Sequence, residues 1–280
     1  MSVLFSSPRA AGSSVAQSPV FRSVACGVDG SQAGLEAVRQ AAVLAGPAAT
    51  LELVAVTPLA GHPMFLPLPD AARTALADAR KTVRALGRDA SVSVIAGASA
   101  APGLLRAAGR HDLVVVGCHA ITTPLGPSLG AVAGPVAARA PQSVLVARRP
   151  PPDADVVSSI LIAVDDSAPS HRATLLGAQI AAQHGSDIAL VAEPARDASH
   201  VHALAEDAAA VAAATGADPV ILDEHGTAAR AIVAAAARIG ASMIVLGARI
   251  HEAGEPSVSE VVAQTAPCSV LIVRDPTTGR

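Results

Sequence analysis

The chain has 280 residues, half of them apolar, with no Trp or Tyr, three Phe and a formal net charge of −3. Stacking aromatics and a basic face are both missing, which argues against nucleic-acid binding. Cys26, Cys118 and Cys268 are odd in number, widely spaced and without a CxxC pair, which fits a reduced, cytoplasmic setting.

Residues 1–22 are rich in Ser and Ala, carry Arg9 and Arg22, and hold no acid. They read as a disordered tail; a transit peptide shares that bias, but the apolar run of a secretory signal is missing. Ser23–Val28 is an apolar run ending in Asp29-Gly30-Ser31. It reads as a buried strand feeding a helix with Ser31 as N-cap. The helix runs to about Ala45, with Leu35, Val38, Ala42 and Leu44 or Ala45 on one side. Thr50–Val56 is a second strand, and Thr57–Pro69, with four prolines, a loop. Asp70–Leu86 is a helix with Leu76, Ala79, Val83 and Leu86 on one face. Ser91–Ala96 is a third strand and Ala100–Gly109 a third helix. The apolar run Leu113–Val116, ending at Gly117, is a fourth strand, followed by a long glycine-bearing loop to Gly130, a short helix and a last strand at Ser143–Val146. Residues 113–138 contain no formally charged group, yet Pro124, Pro127, Pro135 and four glycines break them too often for a membrane span. Nearly continuous apolar strands alternating with helices imply a parallel sheet covered on both faces.

Three successive prolines, Pro150–Pro152, begin a stiff linker over 150–158. Then the pattern restarts. ILIAVDDS at 160–167 restates VACGVDGS at 24–31, 136 positions on. SMIVLGARI at 242–250 restates DLVVVGCHA at 112–120, 130 positions on, and APCSVLIVR at 266–274 restates APQSVLVAR at 140–148, 126 positions on. The chain is an internal duplication, with domains over 23–149 and 159–275. The falling offset makes the second copy ten residues shorter, four of them lost from the loop before its last helix. Its strands are expected near 159–164, 187–192, 219–223, 242–247 and 269–273, and its helices near 168–184, 198–215, 227–239 and 257–265.

These residues resemble the universal stress protein family, as two tandem domains covering nearly all of 20–275. The resemblance implies an α/β fold: two tandem, Rossmann-like, doubly wound parallel sheets of five strands, order 3-2-1-4-5, similar to the adenine-nucleotide hydrolase group. The family's nucleotide-binding members look like G-x2-G-x9-G-(S/T) in the loop after strand four. The first copy keeps that spacing with Gly117, Ala120 and Gly130, but has Ala120 for the second glycine and Ala131 for the Ser/Thr. Glycine lets a backbone approach phosphate closely, so Ala120 crowds the loop. Losing the hydroxyl at 131 costs about 0.5–1.5 kcal/mol, or up to roughly 3 against a charged acceptor. By resemblance the adenine-nucleotide (ATP) contacts are Asp29, Val56, Gly117, His119, Ala120, Gly130, Ala131 and Val132. Two readings stand for Asp29 and Asp165: facing adenosine, or capping the next helix. Two stand for His119: facing phosphate, or plain solvent exposure. Pro135 lies just past the first turn of a helix beginning at Ala131, so the helix is expected to start near Gly134, leaving 130–133 looser.

The second copy departs further. Gly247 remains, but Ile250 and Pro256 replace the next two glycines, and Glu252 and Glu255 bring negative charge. That copy is expected not to bind nucleotide. No metal site is expected: His200 and His202, at i and i+2, point to different helix faces. No G-x-S-x-G elbow and no Walker-type lysine occurs, so no enzyme is expected. Cys118 reads as a packing residue, or as a thiol with a lowered pKa near a helix N-terminus. Glu206-Asp207 reads as a solvated helix face. The apolar last strands of the two copies are edges expected to pair within the chain, with a homodimer left open. The expected function is a stress-response regulatory protein with at most one weakened ATP site, in the first copy. The alternative is a nucleotide-independent protein-interaction module on the same fold.

Overall fold

A computed structural model of the chain describes residues 19–58, 70–97, 99–119, 121–123, 126–150, 154–192, 198–224, 226–249 and 256–274. The chain divides into two compact units, one over Pro19–Arg148 and the other from Arg149 onward.

The first unit begins with β1 (Ser23–Gly27), α1 (Gln32–Ala45), β2 (Thr50–Pro58), α2 (Asp70–Ala85), β3 (Ser91–Gly97) and α3 (Ala100–Ala108). It continues with β4 (Leu113–Gly117), β5 (Ile121–Thr123), β6 (Gly126–Ser128), α4 (Gly130–Arg139) and β7 (Ser143–Ala147). Five strands are parallel in the order β3-β2-β1-β4-β7, the expected 3-2-1-4-5. Right-handed crossovers that wind outward in opposite directions put α1 and α2 on one face, α3 and α4 on the other. Val24–Cys26 and Leu113–Val116 are buried on both faces, which is why these strands read as unbroken apolar runs. Ser31 caps α1 by accepting the Gly34 N–H. Leu86, expected in the core, lies just past the end of α2 and is 43% exposed.

Two local expectations are corrected. The long loop after β4 contains an antiparallel hairpin, β5 with β6. And α4 starts at Gly130, not near Gly134, and runs through Pro135. The φ of proline is already helical, so the cost of Pro135 is local: it lacks the N–H that would have met the Ala131 carbonyl, and its ring crowds that carbonyl. Burial of Ala133, Val136 and Ala137 holds the remaining turns. The turn into α4 needs a glycine, since Gly130 takes φ +85°.

The second unit consists of β8 (Ser159–Val164), α5 (Ala168–His184), β9 (Asp187–Ala192), α6 (Ala198–Thr215) and β10 (Val220–Asp223). It ends with α7 (Ala228–Ile239), β11 (Met243–Gly247), α8 (Val258–Thr265) and β12 (Ser269–Val273). Its strands are parallel in the equivalent order β10-β9-β8-β11-β12. No described helix in either unit is long and apolar enough to cross a membrane.

Candidate functional site

In the first unit β1 and β4 are neighbours whose following helices leave toward opposite faces. Such a switch point opens a crevice at the carboxyl ends of the strands. A cavity of about 490 Å³ lies there. Asp29 enters from the end of β1, Val56 from β2, Gly117 and His119 from the end of β4, and Gly130, Ala131 and Val132 from the start of α4. Seven of the eight residues singled out in the sequence thus meet around one space. The eighth, Ala120, lies outside the described residues. Part of the remaining wall is one that no loop motif reveals: Ala71, Ala72 and Ala75 of α2 with Leu104 of α3. These small side chains create the volume. Val56 also wedges under α3, where a β-carbon on Gly103 would meet its Cγ1 at 2.8 Å.

The polar end is a closed cluster. Ser31 Oγ accepts the Gly34 N–H at 2.9 Å and lies 2.7 Å from Asp29 Oδ1, to which it gives its proton. The Ser31 N–H reaches the same oxygen at 2.9 Å. His119 Nε2 lies 2.9 Å from Ser31 Oγ and 3.2 Å from Asp29 Oδ2. With the hydroxyl proton already committed to Asp29, Nε2 must be the donor to both, which sets the imidazole tautomer. Partial burial pushes the Asp29 carboxyl up, but the hydrogen bonds from Ser31 and the His119 contacts outweigh it and hold it below the usual carboxylate range. Ser31, not Asp29, caps the helix; Asp29 accepts from Ser31 and faces the cavity. His119 is half exposed but is engaged by this cluster rather than free in solvent. Gly34 has no β-carbon because one would strike Asp29 Oδ1. Cys118 is not activated: burial raises its thiol pKa against the opposing charge of Arg148.

No side chain caps α4, whose N-cap position is Leu129. Residues 130–133 line the cavity; the N–H groups of a first turn have no partner within the helix, and that of Gly130 donates to Ser128 Oγ at 3.3 Å. The second unit is the opposite case. Ser257 caps α8 by accepting the Glu260 N–H, and the Glu260 carboxylate accepts the Ser257 N–H in return. That helix end already holds an acid of its own.

The cleft of the second unit is also filled. A shift of 132 positions carries Ala71, Ala72 and Ala75 onto Ala203, Leu204 and Asp207 of α6. The space they share with Val164, Asp165 and Ala192 leaves no room for a water molecule. Asp207, expected on a solvated face, is 2% exposed, and its Oδ1 lies 2.9 Å from His171 Nδ1. The cap of α5 is Ser167, with Asp165 accepting the Ser167 N–H. Ser170 stands where the first unit has Gly34, and its hydroxyl takes the Asp165 N–H at 2.8 Å. Among the described residues, no group of three His, Cys, Asp or Glu side chains is placed to hold a metal ion.

The fold and its two clefts, one open and one closed, define a tandem protein of doubly wound α/β units. The model of the universal stress protein family matches residues 21–148 and again 157–274, so the chain belongs to that family. Solved structures share the fold. A universal stress protein from Archaeoglobus fulgidus DSM 4304 is similar with a TM-score of 0.69 and 17% identity, covering 90% of this chain and 98% of that one. A putative universal stress protein from Pseudomonas aeruginosa UCBPP-PA14 is similar with a TM-score of 0.65 and 19% identity, covering 92% of this chain and 94% of that one. Among curated protein sequences, none matches this chain.

Proposed function

We propose that the protein is a stress-response regulatory protein that binds adenine nucleotide at one weakened site, in the first unit, without turnover. The observation that carries this reading is the cavity of about 490 Å³, lined by alanines and valines and by the start of α4, whose N-cap residue offers no side-chain cap. That volume falls within the range of small-molecule sites, about 300–1,000 Å³. An apolar wall suits a base, and N–H groups at a helix start, left without partners within the helix, suit a phosphate. Ala131 supplies no hydroxyl, which weakens ATP binding by about three- to a hundredfold against a hydroxyl-bearing loop. Asp29 and His119 are committed to one another and to Ser31, so neither is placed as a free general base.

The test is calorimetric titration of ATP and AMP into the intact protein and into Ala72→Leu with Ala75→Val, which fills the cavity as α6 fills its own. Binding at one site per chain in the wild type, lost in the filled variant, is the expected result. Binding that survives filling would place the ligand elsewhere.

The second reading is a nucleotide-independent interaction module. The filled cleft and self-capped α8 favour it for the second unit, where the space between β8, β9 and α6 leaves no room for a water molecule.

A further inference from the structure

Single exposed apolar side chains are ordinary on a protein surface, but their clustering is not. Six large hydrophobic residues are exposed among those described, and four of them lie on or beside two strand edges: Leu86, Val92 and Val94 in the first unit, Ile221 in the second. Among the described residues β3 pairs only with β2, and β10 only with β9. Each strand thus leaves a row of backbone N–H and C=O groups at the border of its sheet. Ile95 shares a face with its register neighbour Val56 and lies under α3. The opposite face of β3, with Val92, Val94 and Ala96, is exposed. Edge strands are normally guarded by a charge, a proline or a bulge. Ser91–Gly97 has no charge and no proline, and its register with β2 runs unbroken.

The charges beside the two edges are opposite. Residues 80–97 hold Arg80, Lys81, Arg84 and Arg88 against Asp89 alone, which Arg84 approaches only to 3.9 Å. Residues 208–224 hold Asp218, Asp223 and Glu224 and no cation, Glu224 being paired with Arg238 of α7. The cations precede β3, whereas acids stand at both ends of β10, so Arg88 meets an acid in either strand direction. Pairing β3 with another β3 leaves its cations unmatched, and pairing β10 with another β10 sets acid against acid. We infer that β3 of one chain docks on β10 of a second copy, a head-to-tail contact that extends the sheet by strand addition. A four-residue strand makes a small contact, below the about 1,200 Å² of a stable interface, so the association is weak and concentration-dependent.

The experiment is sedimentation velocity of the intact protein over a concentration series, repeated with Val94→Glu, with Ile221→Lys, and with the two variants mixed in equal amounts. Both positions are exposed, so the fold is retained, which the denaturant midpoint checks. The wild-type weight-average mass is expected to rise with concentration, and each variant alone to associate about tenfold or more weakly. The mixture is expected to associate again, because Val94→Glu keeps its β10 edge and Ile221→Lys keeps its β3 edge. A wild type that stays a single chain at every concentration overturns the inference, as does association that neither substitution weakens. Loss of association in one variant but not the other would show an edge pairing with its own kind, and a mixture that stays apart would show that the two edges are not partners; either result overturns it.

Discussion

A β-carbon at position 117 would lie 2.5 Å from the Ala33 carbonyl oxygen, and one at position 247 would collide with the Pro169 carbonyl. Both glycines end a strand where it passes beneath the first turn of the first helix of its unit. Packing alone therefore requires them, whether or not a ligand binds nearby. Gly117→Ala and Gly247→Ala should each destabilise the protein by about 1–3 kcal/mol, the cost of overpacking, seen as a lower urea midpoint. Stability losses of similar size in both variants are expected, although only Gly117 borders the open cavity. Loss of ligand binding in Gly117→Ala at unchanged stability would assign that glycine to recognition instead. The spacing of the loop made Gly117, His119, Gly130 and Ala131 legible as a group. The Asp29–Ser31–His119 contacts were not legible, since His119 is 90 positions from Asp29 in sequence and no pattern pairs them.

Strands and helices were the most readable elements. A buried parallel strand leaves an apolar run, as at β1, β4 and β7, and all ten strands expected of the two parallel sheets formed within a residue or two, the largely exposed β3 among them. The β5–β6 hairpin was hidden because its strands are three residues each and β6 holds glycine and proline, which read as loop. Pro135 misled because its position in the helix was judged by propensity, while buried neighbours decide the outcome. In α6 the alanines form a broad apolar surface, so nothing local marks Asp207 as an inward residue. Its role shows only in the fold, where it is buried against His171 among the residues that fill the cleft. The His171–Asp207 pair then has a testable energy. His171→Ala leaves a buried carboxylate without its partner and should cost about 1–3 kcal/mol, discounted for the half-exposed imidazole. Replacing both, as His171→Leu with Asp207→Leu, should recover most of the loss. Denaturant titration of the two variants checks both numbers, and a double variant no more stable than the single one would contradict the account.

At the scale of the whole molecule, a net charge of −3 conceals two unlike halves. Residues 1–148 hold twelve Lys and Arg against seven Asp and Glu, and residues 149–280 hold eight against sixteen. Cleavage in the proline-rich segment after Arg148 should release a first half retained by a cation exchanger and a second retained by an anion exchanger at neutral pH. Co-elution of the separated halves under denaturing conditions would contradict that split. The duplication has thus drifted in charge as well as in cleft, one copy keeping its space and the other closing it with Leu204 and Asp207. The open cavity also sits in a chain with no Trp and no Tyr. Such a protein is nearly transparent in the near ultraviolet. A purine carried through purification would therefore announce itself in the raw absorption spectrum of the sample, and its occupancy could be read from that band against a peptide-bond concentration, without label, reporter or mutation.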